Sequence, residues 1–237
     1  MKLCTQAPSF PLFRPSGDRC LLAIYGQDVD VAVNEKVRRI TALLNQDRKQ
    51  GIEEVVPSYS SLAVFYDPEQ ISLQALSTFL RACEQDVSKA QIRESRTITI
   101  PVCYGGEFGP DIEDVARHNQ LGIAEVIKRH GNALYRIFAL GFAPGFCYLG
   151  GLDSGLHIPR LETPRALVPA GSVGIAGGQT GIYPQDSPGG WRIIGRTPLT
   201  LFAADRAEPC PYRAGDSLRF QAVDKATFYE ILSTEHQ

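Results

Sequence analysis

Residues 141–198 form a glycine- and proline-rich segment that constrains the fold more than any other part of the chain. The part from 141 to 195 holds 13 of the 22 glycines and only six Asp, Glu, Lys or Arg side chains. Glycine is needed where the backbone takes positive φ or approaches another group closely, and its conformational entropy disfavours it elsewhere. So many glycines therefore predict closely packed turns that frame a binding site. The polar and aromatic side chains left among them are the candidate contacts: Arg165, Gln179, Tyr183, Ser187 and Trp191.

Composition narrows the class of protein. The 237 residues are 43% hydrophobic and 21% charged, which is ordinary for one large or two small globular domains. A net charge of −2 gives no electrostatic reason to expect nucleic acid or an anionic membrane surface as partner. No apolar run approaches the length of a membrane span. The six cysteines are scattered without a C-x-x-C pair, which favours free thiols and a cytoplasmic location.

The first 92 residues predict an α+β domain. Apolar residues recur at helical spacing from Val33 to Leu44, and Gly51 ends that helix. The predicted elements are a strand at 20–26, a helix within 29–50, strands at 54–57 and 61–66, and a helix from Leu73 to Cys83. This β-α-β-β-α order is typical of the start of a ferredoxin-like unit, a fold that by itself implies no activity.

A polar linker at 84–96 precedes a second domain, which we place at residues 93–237. Its many short strands and dense Gly and Pro turns favour a closed or sandwiched β architecture. The predicted strands are 97–106, 134–140, 166–168, 172–176, 181–183, 191–195, 200–203 and 217–222, with helices near 111–119, 123–130 and 224–232.

Several functional classes lack their motifs. Residues 114–130 have helix-turn-helix spacing, but Lys128 and Arg129 are too few basic residues to read DNA. None of His118, His130 and His157 has a metal-ligating residue three or four positions further along the chain, so we predict no metal site. The chain contains no phosphate-binding loop of the G-x-x-x-x-G-K-[ST] type and no G-x-S-x-G elbow for a nucleophile.

A small-molecule pocket is the remaining candidate. Arg165 can fork onto a carboxylate and Gln179 can pair with an amide or carbonyl. Phe146, Tyr183 and Trp191 can wall an apolar cleft. The alternative, that the aromatic residues are ordinary core and Arg165 a solvated surface residue, is equally compatible with the sequence.

Three motifs carry a resemblance to a known family. They are G-F-A-P-G-F-C-Y-L-G-G-L (141–152), T-P-R-A-L-V-P-A-G-S-V-G-I-A-G-G-Q-T-G-I-Y-P (163–184) and S-P-G-G-W-R-I-I-G-R-T-P-L-T-L-F (187–202). With further similarity at 54–68, 100–106 and 125–130, the chain resembles the B-subunit family of 5-oxoprolinases, also described as allophanate hydrolase subunit 1-like or KipI-like. One departure is Gly178, where relatives often have serine.

The resemblance implies a fold, a reaction and partners. The expected fold is an N-terminal α+β domain followed by a mostly β, cyclophilin-like barrel. The expected complex contains a homologous C subunit together with an A subunit, and it converts 5-oxo-L-proline, ATP and water into L-glutamate, ADP and phosphate. ATP would be used by the complex without a phosphate loop in this chain. Two alternatives stay open: inhibition of a sensor histidine kinase, as for KipI, and a subunit role in allophanate or urea metabolism.

The motif positions give the expected site residues. Phe146, Arg165, Gln179, Tyr183, Ser187 and Trp191 would bind substrate, and no metal is expected. From residue chemistry we expect Arg165 to bind the carboxylate, Gln179 the lactam, and His130 to transfer a proton.

Overall fold

The computed structural model describes residues 9–235. Contacts divide the chain into two compact units, with the division between Glu94 and Ser95. None of the helices within residues 9–235 is both long enough and apolar enough to cross a membrane. The five cysteines in that range are free thiols, whereas Cys4 lies outside it.

The N-terminal unit is a four-stranded antiparallel sheet with two helices. Its elements are β1 (Leu12–Pro15), β2 (Cys20–Ile24), α1 (Val31–Gln46), β3 (Ile52–Pro57), β4 (Ser61–Tyr66) and α2 (Leu73–Gln85). The strand order is β1-β2-β4-β3. Asp30 caps α1 by accepting a hydrogen bond from the Val33 N–H at 2.9 Å, and α1 buries Val37, Ile40 and Leu44 as its periodicity predicts.

Strand β1 was not anticipated from the sequence. It pairs with β2 as a hairpin, with Leu12 opposite Ile24, and occupies one edge of the sheet. In a ferredoxin-like fold, the strand before the first helix is flanked at the sheet edge by a strand that follows the second helix. Here the strand before the first helix is β2, and its edge neighbour β1 comes earlier in the chain. The ferredoxin-like assignment and the boundary at residues 92 and 93 therefore stay predictions.

The C-terminal unit contains a closed barrel, so of the two predicted β architectures, closed or sandwiched, the closed one is confirmed. Its elements are β5 (Thr97–Tyr104), α3 (Ile112–His118), α4 (Ile123–Asn132), β6 (Tyr135–Leu140), β7 (Cys147–Gly150), β8 (Arg165–Val168), β9 (Ser172–Ala176), β10 (Gln179–Ile182), β11 (Ser187–Gly189), β12 (Arg192–Arg196), β13 (Ser217–Ala222) and α5 (Lys225–Glu235). The barrel order is β10-β7-β6-β13-β5-β12-β9, and β11 pairs with β8 in a separate two-stranded sheet.

The helix pair at 114–130 belongs to this barrel core. Helix α3 contacts β12 and helix α4 contacts β13. Val115 and Val126 are fully buried in the same apolar cluster as the barrel residues Ile137 and Val173. The apolar faces of both helices therefore pack on the barrel.

One predicted strand is wrong. Residues 200–203 are irregular, because the Ala203 N–H donates to the Pro209 carbonyl within a local turn and forms no ladder. The apolar character that suggested a strand comes from Leu201, which is buried in the barrel core. Strands β7 and β11 were missed, and β11 consists of Ser187, Pro188 and Gly189, residue types that disfavour strands.

Candidate functional site

The C-terminal unit carries an open cleft of about 610 Å³, formed mainly by the glycine-rich segment. We call it the aromatic cleft, and its lining residues are Phe142, Phe146, Tyr148, Arg160, Pro164, Tyr183, Pro188, Gly189, Gly190 and Trp191. Its volume lies within the range of ligand-binding pockets. Three of the sequence-predicted contacts, Phe146, Tyr183 and Trp191, therefore lie together in one lining.

Phe146 lies at the centre of the aromatic wall. Its ring meets those of Tyr148, Trp191 and Tyr183 edge to face, with centroid separations of 5.0, 5.7 and 5.8 Å. Phe146, Tyr183 and Trp191 are almost fully buried, with relative exposures of 3, 3 and 6%. Edge-to-face pairs contribute roughly 0.5–1.5 kcal/mol each beyond area burial, so the wall is preformed.

Phe142 forms the exposed rim of the aromatic cleft. It is 71% exposed, and its ring meets Phe146 edge to face at 5.5 Å. Its φ of +71° lies in the left-handed region, which is unusual for a bulky residue. Backbone strain of this kind concentrates at functional sites.

Glycines form the surface against which the aromatic rings pack. Gly174 and Gly181 are opposite each other on β9 and β10. A Cβ on Gly181 would lie 3.1 Å from Trp191 Cζ3 and 3.2 Å from Phe146 Cζ, and a Cβ on Gly174 would lie 3.1 Å from Trp191 Cβ. The missing side chains allow the rings to contact the backbone closely, which explains the density of glycine in this segment.

Gly189 and Gly190 give a matched test of this packing. A Cβ on Gly189 would lie 2.5 Å from the Tyr183 hydroxyl oxygen, whereas a Cβ on Gly190 meets nothing closer than Pro164 Cγ at 3.6 Å. We expect Gly189→Ala to lower the free energy of unfolding by about 1–3 kcal/mol, because Tyr183 must move. Gly190→Ala should be nearly neutral. Urea unfolding followed by Trp191 fluorescence measures both, and equal midpoints would contradict the prediction.

Arg165 lies outside the lining of the aromatic cleft. Its Nη2 donates to Oδ1 of the buried Asp111 at 2.7 Å, and Nη1 lies 3.4 Å from the Trp191 carbonyl oxygen. The other Asp111 oxygen accepts from the Ile193 N–H at 2.6 Å. This arrangement ties β8 and β12 to the turn before α3, so the Arg165 guanidinium supports the wall behind Trp191.

Arg160 is the charged residue that the cleft lining contains. Sequence reasoning selected Arg165 from the same segment and missed Arg160. The sequence around the two arginines does not distinguish them. They differ because Arg165 is paired with Asp111, which is 54 residues away in the sequence. Burial raises the pKa of Tyr183 above its usual range, while a hydrogen bond from the Trp191 backbone and the charge of Arg160 act in the opposite direction.

Gln179 and Ser187 also lie outside the lining. Gln179 begins β10, opposite Ala176 on β9. Ser187 begins β11, opposite Val168 on β8. Both are half-buried. Their predicted contacts with substrate stay predictions.

His130 lies in the barrel interior and is fully buried. Its Nδ1 is 2.7 Å from the Tyr104 hydroxyl and its Nε2 is 2.9 Å from the Thr180 hydroxyl, while Thr180 itself donates to the Gly174 carbonyl at 3.0 Å. Because the Thr180 proton is used on Gly174, Nε2–H donates to Thr180 and Nδ1 accepts from Tyr104. Burial lowers the pKa of His130 to about 3, so the ring is neutral.

Two other kinds of site, a metal centre and a reactive buried thiol, have no support within residues 9–235. Within residues 9–235 no group of three or more His, Cys, Asp or Glu residues could hold a metal ion. Cys147 is fully buried, and burial raises its pKa to about 12, which keeps the thiol protonated. The aromatic cleft is therefore the candidate site.

Comparison with known proteins identifies the family of the chain. Residues 11–212 match the family model for the carboxyltransferase domain, subdomains C and D. The 5-oxoprolinase B subunit of Bacillus subtilis is 42% identical over 90% of this chain and 93% of its own length. The 5-oxoprolinase B subunit of Escherichia coli O157:H7 is 48% identical over 72% of this chain and 78% of its own length.

Other relatives are longer than this chain. The solved structure of TTHA0988 is 33% identical with a TM-score of 0.77, covering 87% of this chain but 40% of that one. A urea amidolyase from Lachancea kluyveri is 27% identical over 78% of this chain and 12% of its own length. The matches to the family model and to the two bacterial proteins show that the chain belongs to the B-subunit family of 5-oxoprolinases.

Proposed function

We propose that the chain is the B subunit of an ATP-dependent 5-oxoprolinase and acts with the A and C subunits to open 5-oxo-L-proline to L-glutamate. Its identity of 42–48% to proteins of that name over most of their length carries the proposal. The cytoplasm is the proposed compartment, which the five free thiols support.

The energetics of the reaction explain the need for ATP and for other subunits. A five-membered lactam resists hydrolysis, and phosphorylation of its carbonyl oxygen by ATP makes the carbonyl carbon more electrophilic. Water can then add to that carbon, the C–N bond breaks with the nitrogen leaving as the amine, and hydrolysis of the resulting acyl phosphate releases phosphate and L-glutamate. The chain has no phosphate-binding loop, so we assign ATP binding to a partner in the complex. By itself the chain should be inactive as a hydrolase.

The aromatic cleft is the proposed substrate site. Phe146, Tyr183 and Trp191 offer a rigid apolar wall for the ring of 5-oxoproline. Arg165 holds that wall through Asp111, and this arrangement supports a positioning role in place of the direct contact expected from the sequence. For His130, the buried and satisfied ring supports a structural role in the barrel.

The rim of the cleft is the proposed contact with the C subunit. Phe142 at the rim is 71% exposed, and Leu167 is 58% exposed on β8, the strand that pairs with the lining strand β11. Exposed apolar groups beside a cleft are typical of protein interaction sites. TTHA0988 continues well beyond the matched region, which supports a site completed by additional polypeptide.

Reconstitution tests the proposed function. The purified A and C subunits are assayed for glutamate and ADP formation from 5-oxo-L-proline and ATP, with and without this chain. We expect glutamate release only when all three are present, and no release from this chain alone. Equal activity without this chain would refute the proposal.

A second candidate function is favoured by the carboxyltransferase family model and by the urea amidolyase relative. In that case the same cleft would receive urea or a carboxylated urea. Offering urea and allophanate to the reconstituted subunits separates the two candidates, because only the second predicts turnover of these compounds.

A further inference from the structure

We propose that Arg160 binds the carboxylate of a small lactam acid in the aromatic cleft, with the ring of the ligand against Phe146, Tyr183 and Trp191. The inference rests on the proposed function and names the residue that recognises the charged group of the substrate. It transfers to Arg160 the role that sequence reasoning gave to Arg165.

The pairing of the nearby arginines carries the argument. Arg165 donates to Asp111 at 2.7 Å, and Arg192 donates to Asp114 at 2.9 Å. Arg160 has no carboxylate partner within residues 9–235. A guanidinium can hold a carboxylate through two parallel hydrogen bonds. Arg160 can hold a ligand carboxylate in this way, whereas Arg165 and Arg192 already bind carboxylates of the protein.

The rest of the lining fits a monoanion with an apolar body. The lining contains Arg160 and no Asp or Glu side chain, so its net charge favours an anion. The Tyr183 hydroxyl lies against Gly189 in the same lining, and a phenol hydroxyl can donate its proton to an acceptor on a ligand. 5-Oxo-L-proline supplies one carboxylate for Arg160, one carbonyl oxygen for such a donor, and ring methylenes for the aromatic wall.

Trp191 makes direct measurement possible, because it is the single tryptophan of the chain and it lines the cleft. The full chain is titrated with 5-oxo-L-proline and with its uncharged amide, 5-oxo-L-prolinamide, while Trp191 emission is recorded. We expect saturable binding of the acid and weaker binding of the amide. Loss of a charge-assisted hydrogen-bond pair should raise the Kd of Arg160→Gln for the acid about 10- to 100-fold, with little change for the amide.

Two further variants control the experiment. Arg160→Lys keeps the positive charge but cannot form two parallel hydrogen bonds to a carboxylate, so it should recover part of the affinity for the acid. Arg219→Gln removes one positive charge from an exposed position on β13, outside the cleft lining, and should bind like the wild type. In the reconstituted enzyme, Arg160→Gln should raise KM for 5-oxoproline far more than it lowers kcat.

Three results would overturn the inference. In the first, wild type and Arg160→Gln bind the acid with equal affinity. In the second, the wild type binds the acid and the amide equally well. In the third, Trp191 emission responds to neither compound. Failure of the proposed function looks different. In that case the acid would still bind through Arg160 while the reconstituted subunits release no glutamate.

Discussion

Replacing Asp111 by asparagine should lower the free energy of unfolding of the C-terminal unit by about 2–4 kcal/mol. The Asp111 side chain is 6% exposed, and its two oxygens accept hydrogen bonds from Arg165 and from the Ile193 N–H. In asparagine one of these oxygens is replaced by an NH2 group, which would place a hydrogen-bond donor against one of the two donors. This change in free energy is smaller than for a fully buried ion pair because Arg165 is 32% exposed. Urea unfolding monitored at Trp191 gives the change directly.

Asp114 is the matched control for this variant. It lies three residues further along, in α3, and pairs with Arg117 and Arg192, but its side chain is 39% exposed. The pair with Arg117 is exposed and contributes less than about 1 kcal/mol, whereas Arg192 is only 23% exposed. Asp114→Asn should therefore cost about 1 kcal/mol, less than Asp111→Asn. Asp111→Asn should also weaken binding in the aromatic cleft, because Arg165 and Ile193 flank Trp191. Equal unfolding midpoints for the two variants would contradict the assigned role of Asp111.

Acidification should destabilise the protein through His130. Its pKa is about 3 in the folded chain and about 6.5 in the unfolded chain, so the unfolded state binds the proton more readily. The stability contributed by the neutral ring is therefore complete above pH 6.5 and is lost as the pH falls from 6.5 towards 3. The slope approaches about 1.4 kcal/mol per pH unit, which gives a loss of about 2 kcal/mol between pH 7 and pH 5.

His130→Gln tests the origin of this loss. Its amide can accept from Tyr104 and donate to Thr180 but does not titrate, so the variant should lose stability more slowly than the wild type between pH 7 and pH 5. His118→Gln changes an exposed histidine and should keep the wild-type slope. Urea unfolding at a series of pH values measures all three proteins. An unchanged slope in His130→Gln would assign the acid sensitivity to other groups.

Local patterns predicted much of the fold because they report local physics. Helices α1 and α2 have apolar residues at helical spacing and begin after Asp30 and Ser72, which cap them. Strands β1 and β11 were missed because each contains a proline. Strand β1 lies at the edge of the N-terminal sheet, and β11 belongs to a two-stranded sheet with β8. Their existence depends on a partner strand, which a single segment does not encode.

The site was predicted in part for the same reason. Aromatic residues in a glycine-rich segment indicated a cleft, and Phe146, Tyr183 and Trp191 lie together in it. The buried position of His130 depends on Tyr104 and Thr180, which are 26 and 50 residues away in the sequence. Contacts over such separations leave no periodic signal, so the sequence alone could not separate a proton-transfer residue from a core residue.

The parallel pairing of β5 with β13 has a consequence for biosynthesis. Residues 97–102 of the first barrel strand lie against residues 217–222 of the last, so the barrel closes only through a contact across more than a hundred intervening residues. Pairings of such high sequence separation form slowly. A nascent chain on the ribosome therefore exposes the edge of β5 until β13 has been synthesised. An unpaired strand edge of this kind favours aggregation during the interval before the barrel closes.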